Sequence, residues 1–181
     1  NRRHFIGSCL SILPFACTWS ALESHKSSNL GTIVTTLSSH QGKYKNQKSY
    51  FYLYDFKTKN SLKIKLPFLA HEIVQNLNNK DQFLCISRYQ KKLAIIDAKK
   101  EKLLKIVRAP ENMAFSGHSV FDEKEERFLV TGRLNTSDDS SIGRLIGLNA
   151  KNFHIEGSVG THGYGPHECI SRDDKIILVN S

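Results

Sequence analysis

The chain has 181 residues, 39% of them hydrophobic and 24% charged, and a formal net charge of +9. That length buries the core of one domain, and the composition is ordinary for a globular protein. The basic residues are scattered over predicted turns and strand edges. No helix gathers them and no aromatic platform interleaves with them, which argues against a nucleic-acid-binding module and for a solvated surface that blunts exposed strand edges.

The first 22 residues read as an export signal. Arg2-Arg3-His4-Phe5-Ile6 precedes an apolar run from Cys9 to Ala21, which Ser, Pro14 and Thr18 interrupt and which is too short for a membrane span. Arg-Arg-x-Phe-Ile resembles a twin-arginine signal, an address read by a receptor rather than an anchor. The expected compartment is the periplasm, with no transmembrane segment in the mature chain. Lipid anchoring at Cys17 is the weaker alternative, because Leu13-Pro14-Phe15-Ala16 makes a poor lipoprotein box. The first residue is Asn rather than Met, so the true start is expected upstream. Cys85 and Cys169 lie in predicted strands and read as small buried hydrophobes, since no CxxC or disulfide framework exists.

Beyond the leader, short β-branched and aromatic runs are bounded by Asn, Asp, Gly and Lys turns, and the chain repeats itself. Residues 30–67 hold predicted strands at Gly31 to Ser38, Phe51 to Lys57 and Leu62 to Leu66. Next come three segments that align with one another. His71-Glu72-Ile73-Val74 leads to Gln82 through Arg88, His118-Ser119-Val120-Phe121 leads to Arg127 through Arg133, and His167-Glu168-Cys169-Ile170 leads to Lys175 through Ser181. The histidines are spaced by 47 and 49 residues. The second halves match as well: Leu93-Ala94-Ile95-Ile96-Asp97-Ala98-Lys99 resembles Leu145-Ile146-Gly147-Leu148-Asn149-Ala150-Lys151. Four strands in about 40–50 residues is the unit of a β-propeller blade. The predicted fold is all-β, with a partial blade over 30–67, blades over 71–107 and 118–160, and the start of another over 167–181. Propellers close with about 4–8 blades, so the expectation is an N-terminal fragment of a larger ring. A complete small sandwich is the alternative.

In a propeller the first strand of each blade lines the central channel, so residues at its leading position converge. His71, His118 and His167 hold that position, and Glu72 and Glu168 follow two of them. Neutral imidazole is a common ligand of iron, copper and zinc, and the carboxylates suit a ligand or tautomer-fixing role. These five residues are the candidate metal ligands. The competing reading makes each histidine a strand-start residue that bonds a neighbouring loop. Arg88 and Arg133 end equivalent strands, and Arg88 is a candidate partner for a carboxylate or phosphate. His162-Gly163-Tyr164-Gly165-Pro166 is a rigid turn whose glycines allow close backbone approach, which makes His162 a second candidate for ligand binding.

No nucleophile elbow, HExxH, P-loop or dinucleotide motif is present, because Phe115-Ser116-Gly117-His118-Ser119 only superficially imitates the first and Gln75 stands four residues after His71. Three functions stay open. They are a metal- or small-ligand-binding propeller, a protein-interaction scaffold with structural histidines, and an exported hydrolase or oxidoreductase working in the channel.

Gly117-His118-Ser119-Val120-Phe121, the Ser87-Arg88 strand end and His162-Gly163-Tyr164-Gly165-Pro166-His167-Glu168 resemble an uncharacterised bacterial family of exported propellers, domain of unknown function 1513. The last stretch is similar to the family's His-Gly-x-Gly-Pro-His-Glu signature. The resemblance implies about seven blades, a periplasmic location, and neighbours among imelysin-like iron-uptake proteins, hence a role in iron acquisition. Arg133-Leu134-Asn135 departs from the family pattern, where an acidic-Asn pair is more usual.

Overall fold

A computed structural model describes residues 31–39, 48–88, 90–135, 141–172 and 175–180. The export signal and Cys17 lie outside them. The described residues form strands and turns. None forms a helix long and apolar enough to cross a membrane.

Among the described residues thirteen strands follow one another. β1 (Thr32–Ser39), β2 (Lys48–Asp55) and β3 (Ser61–Leu66) make a three-stranded sheet in chain order. β4 (Ala70–Gln75), β5 (Gln82–Ser87), β6 (Lys92–Asp97) and β7 (Lys102–Arg108) make a four-stranded antiparallel meander. β8 (Met113–Asp122), β9 (Arg127–Asn135), β10 (Ser141–Asn149) and β11 (Ile155–Tyr164) make a second. β12 (Pro166–Arg172) and β13 (Lys175–Asn180) pair as a hairpin. These sheets are the blades of a β-propeller. The second four-stranded sheet differs from the first in where its first strand begins relative to the histidine. There β8 begins at Met113, upstream of His118, because Met113, Ala114 and Phe115 extend the ladder against Leu134, Arg133 and Gly132.

The chain divides into two compact units. Among the described residues the smaller comprises 31–33 and 54–60, and within it the Phe56 N–H donates to the Gly31 carbonyl at 3.1 Å. The larger comprises, among the described residues, those within 34–53 and 61–180, and contains every candidate site residue described below.

The period of two along a strand explains how the larger unit packs. On β5 and β6, Leu84, Ile86, Leu93 and Ile95 face one way and join Phe115, Phe121, Phe128, Val130, Ile146 and Leu148 of the following blade. Phe83, Cys85, Ala94 and Ile96 face the other way and join Phe51, Leu66 and Phe68 of the preceding sheet. A central blade strand is therefore apolar on both faces and reads as a continuous hydrophobic run, as Leu93-Ala94-Ile95-Ile96 does. Full burial of each large side chain is worth about 1.5–3 kcal/mol. The two described cysteines, Cys85 and Cys169, are free and buried, and Cys85 belongs to the face toward the preceding sheet.

The outer turns are built alike. Four hairpins open on Asp55, Asp97, Asp122 or Asn149 and place Lys59, Glu101, Glu126 or Phe153 at φ between 50° and 59°. In each, the Asp or Asn side-chain oxygen accepts a backbone N–H, from Lys57 at 2.8 Å, Lys100 at 2.8 Å, Glu125 at 3.3 Å and Lys151 at 2.9 Å. This is the local hydrogen bonding that makes Asp and Asn turn residues.

Candidate metal centre

The first strands of the last three sheets, β4, β8 and β12, lie beside one another. Each departs from regular pairing at its histidine. Between Ala70↔Ser87 and Glu72↔Ile86, β4 spends one residue more than its partner, and that residue is His71. Between Pro166↔Asn180 and Glu168↔Val179, β12 does the same with His167. β8 is the most distorted: Phe115↔Gly132 is followed by Ser119↔Val130, so four steps on β8 match two on β9. A bulge breaks the alternation of side chains and re-aims the residues after it.

The distortion in β8 is held by two residues. Gly117 adopts φ 111°, which disfavours any residue with a Cβ, and a Cβ there would also come within 2.7 Å of the His71 ring. Thr131, wholly buried, supplies the missing ladder bonds from its side chain. Its hydroxyl accepts the His118 N–H at 3.2 Å and donates to the His118 carbonyl at 3.0 Å. Neither residue stood out in the sequence. A signal does exist, because Thr131 is a polar residue in an apolar second strand, where the aligned residues of the other repeats are Ile86 and Val179.

The bulges bring side chains from three sheets together. The His71 and His118 ring centroids are 4.9 Å apart and edge to face, and those of His118 and His167 are 5.0 Å apart. His118 is the inner member, its side chain 12% exposed. Its Nδ1 lies 3.5 Å from Glu168 Oε1 and 3.6 Å from Glu72 Oε1. Both ring nitrogens are buried, and neither makes a hydrogen bond to a described residue. The other Glu72 oxygen accepts the Ser119 N–H at 2.6 Å, which ties β4 to β8.

Glu72, His118 and Glu168 each present one donor atom within 4.8 Å of the others, a grouping able to hold a metal ion. Separations of 3.5–3.6 Å exceed an ordinary N–H···O bond of about 2.7–3.2 Å. They approach the spacing of two donors on one ion, since ligands about 2.0–2.2 Å from a tetrahedral metal stand about 3.4 Å apart. His71 and His167 flank this trio as exposed ring neighbours of His118 and lie outside the convergent donor set. Arg88 follows β5, exposed, with its Cβ 3.4 Å from where a residue-117 Cβ would stand. His162 lies elsewhere, in a bulge of β11 at φ 58°, and the structure does not bring it to the cluster.

The electrostatics follow from burial and crowding. Loss of solvent holds the His118 imidazole below its ordinary pKa; Glu168 opposes this, while His167 and Arg88 add to it. His71 is depressed by burial and then by His118, Arg88 and His167, with Glu168 opposing. Burial pushes the Glu72 carboxyl up to about 7, against the Ser119 N–H and with help from Glu168. The Cys169 thiol beneath is pushed up to about 12, first by burial and then by the two carboxylates. Neutral imidazole is the form that binds a metal, and a thiol so raised stays protonated.

Comparisons with known proteins bear on the fold. A family model described as "Protein of unknown function (DUF1513)" matches residues 64–181. No curated protein matches the chain. Among solved structures, apo AztD from Citrobacter koseri aligns at 19% identity and a TM-score of 0.49, over 68% of this chain and 34% of that one. A protein of unknown function from Bacteroides caccae aligns at 12% identity and a TM-score of 0.50, over 80% of this chain and 50% of that one. The chain thus spans a third to a half of the length of these structures, and the second likeness speaks for the fold alone.

Proposed function

The chain belongs to the DUF1513 family, and from the geometry of its histidine cluster we propose that it binds a divalent transition metal through Glu72, His118 and Glu168. One observation carries the reading. The His118 ring has both nitrogens buried and unbonded, with Nδ1 between two carboxylates at distances too long for good hydrogen bonds. A buried polar atom with no partner costs about 1–3 kcal/mol. A cation bonded to Nδ1 and the two carboxylates removes that cost at Nδ1 and balances the carboxylate charge. Imidazole with carboxylate oxygen is a donor set for iron, zinc or copper. His71 and His167 then act as neighbours that shape the site and present imidazole at its exposed edge.

The protein is further proposed to act outside the cytoplasm, in iron handling. Arg2-Arg3 with the apolar run after it supports export, and the resemblance to propellers encoded beside iron-uptake proteins supports the metal's identity. A structural reading of the same residues has one contact in its favour, the Ser119 N–H on Glu72, which joins two blades whether or not a metal is bound.

Titration calorimetry with Zn(II) separates the two readings. The metal reading expects one ion per chain, lost in His118→Ala. The structural reading expects no saturable binding, with His118→Ala and Glu72→Gln changing stability alone.

A further inference from the structure

The two ends of the blades differ in how their surface charges are answered. At the outer hairpins opposite charges meet. Asp97 stands directly across from Lys102, and Asp122 across from Arg127. Ion pairs add to this, between Lys100 and Asp97 at 3.3 Å, between Arg127 and Asp122 at 3.3 Å, and between Lys151 and Glu126.

At the other end the β5–β6 turn lies beside the start of β4, which carries His71. There Lys92 stands directly across from Arg108, and exposed Lys91 precedes it. Like charges opposite one another in a ladder are destabilising. Arg144 holds the place of Lys92 in the next blade, just before Leu145 as Lys92 is just before Leu93. Its Nε is buried without a hydrogen bond. None of these four cations forms an ion pair with a described residue. Glu111, exposed in the turn after Arg108, forms none either. A cation on an edge strand such as β7 discourages unwanted strand pairing. That reason does not extend to Lys92 and Arg144, because β6 and β10 are interior strands.

We propose that this end of the blades docks an acidic segment of a partner protein, held by Lys91, Lys92, Arg108 and Arg144. Charge complementarity is the argument, since the cations here lack the internal acids that answer those at the outer hairpins. The metal reading above adds a reason for carboxylates in particular. A free divalent cation is repelled by an unanswered basic surface, whereas carboxylates both bind such an ion and are attracted there.

Fluorescence anisotropy of a labelled decaglutamate peptide, titrated with the metal-free full chain, tests this. The proposal expects saturable binding that weakens as salt is raised. The triple variant Lys91→Gln, Lys92→Gln, Arg108→Gln should weaken it at least about tenfold. Arg144→Gln alone should weaken it in the same direction. The triple variant Lys99→Gln, Lys124→Gln, Lys151→Gln removes the same charge from the outer hairpins and should stay within about twofold of the parent chain. No saturable binding, or equal losses in the two triple variants, would overturn the proposal. So would tighter binding of phosphatidylglycerol vesicles or of oligothymidylate through the same residues, which would assign the face to a membrane or a nucleic acid. No metal is present in these titrations, so each outcome stands apart from the zinc calorimetry that decides the metal reading.

Discussion

The outer hairpin turns and the inner-strand bulges are the two places where this chain leaves the regular ladder, and they differ in how their polar atoms are satisfied. Each of the four turns opens on an Asp or Asn whose oxygen takes a backbone N–H, and a residue at positive φ closes the loop. The bulge in β8 repairs its backbone equally well, through the Thr131 hydroxyl. Its side chain is left unrepaired, because both nitrogens of His118 are buried without a hydrogen bond to any described residue. A repeat whose polar atoms are all answered internally is explained by folding. A repeat that aims unanswered nitrogens and carboxylates at one point calls for a ligand.

Substitutions sharpen that contrast. The largest effect is expected at His118. His118→Ala should weaken Zn(II) binding by about 100-fold or more, read by competition with a chromogenic chelator, since even partners behind a metal ligand are worth about 10–100-fold. A loss below tenfold would put His118 on the same footing as a turn residue.

Acidity provides the next test. Zinc must displace the proton from Glu72, whose pKa is about 7, so affinity should fall by up to about tenfold per pH unit below 7, and Glu72→Gln should flatten the profile. The metal-free protein behaves in the opposite sense. A carboxyl raised above its ordinary 4.5 stabilises the fold at low pH and loses that contribution as pH rises from about 4.5 through 7. His71 and His118, both depressed, oppose that trend below their ordinary 6.5. The informative quantity is therefore the difference in Tm between the parent chain and Glu72→Gln, which should shift steadily in favour of the variant across that window. No change in that difference would remove Glu72 from the buried cluster.

A smaller effect is expected at Thr131. Thr131→Val keeps the shape and removes two hydrogen bonds, so it should cost about 1–3 kcal/mol in chemical denaturation and about tenfold in zinc affinity, whereas Thr131→Ser should recover most of both. The smallest concerns the turns. Asp97→Ala removes the bond from the Lys100 N–H and should cost about 1–2 kcal/mol with zinc affinity unchanged. Altered zinc binding in that variant would erase the distinction between the two regions.

Much of the fold was legible in the sequence, because a blade is a repeat and both central strands of a buried blade announce themselves as apolar runs. Leu93-Ala94-Ile95-Ile96 and its copy from Leu145 fixed the unit length. The register of His71, His118 and His167 was legible for the same reason. What spacing could not reveal was which donors would meet. A bulge of one residue turns a strand's side chains over. The meeting of Glu72, His118 and Glu168 therefore depends on three bulges that no alternation pattern encodes. Gly117 inside a strand and Thr131 in an apolar run were the available clues. His162 shows the converse. Its glycine-rich surroundings suggested a ligand loop, and in the structure those residues form a bulge on β11.

X-ray absorption at the zinc edge on the loaded full chain tests the central claim most directly. The account predicts one ion per chain, coordinated by a single protein imidazole and by oxygen donors at about 2.0–2.2 Å, with no sulfur. A zinc shell that contains sulfur, or that has the same imidazole content in His118→Ala, would contradict it.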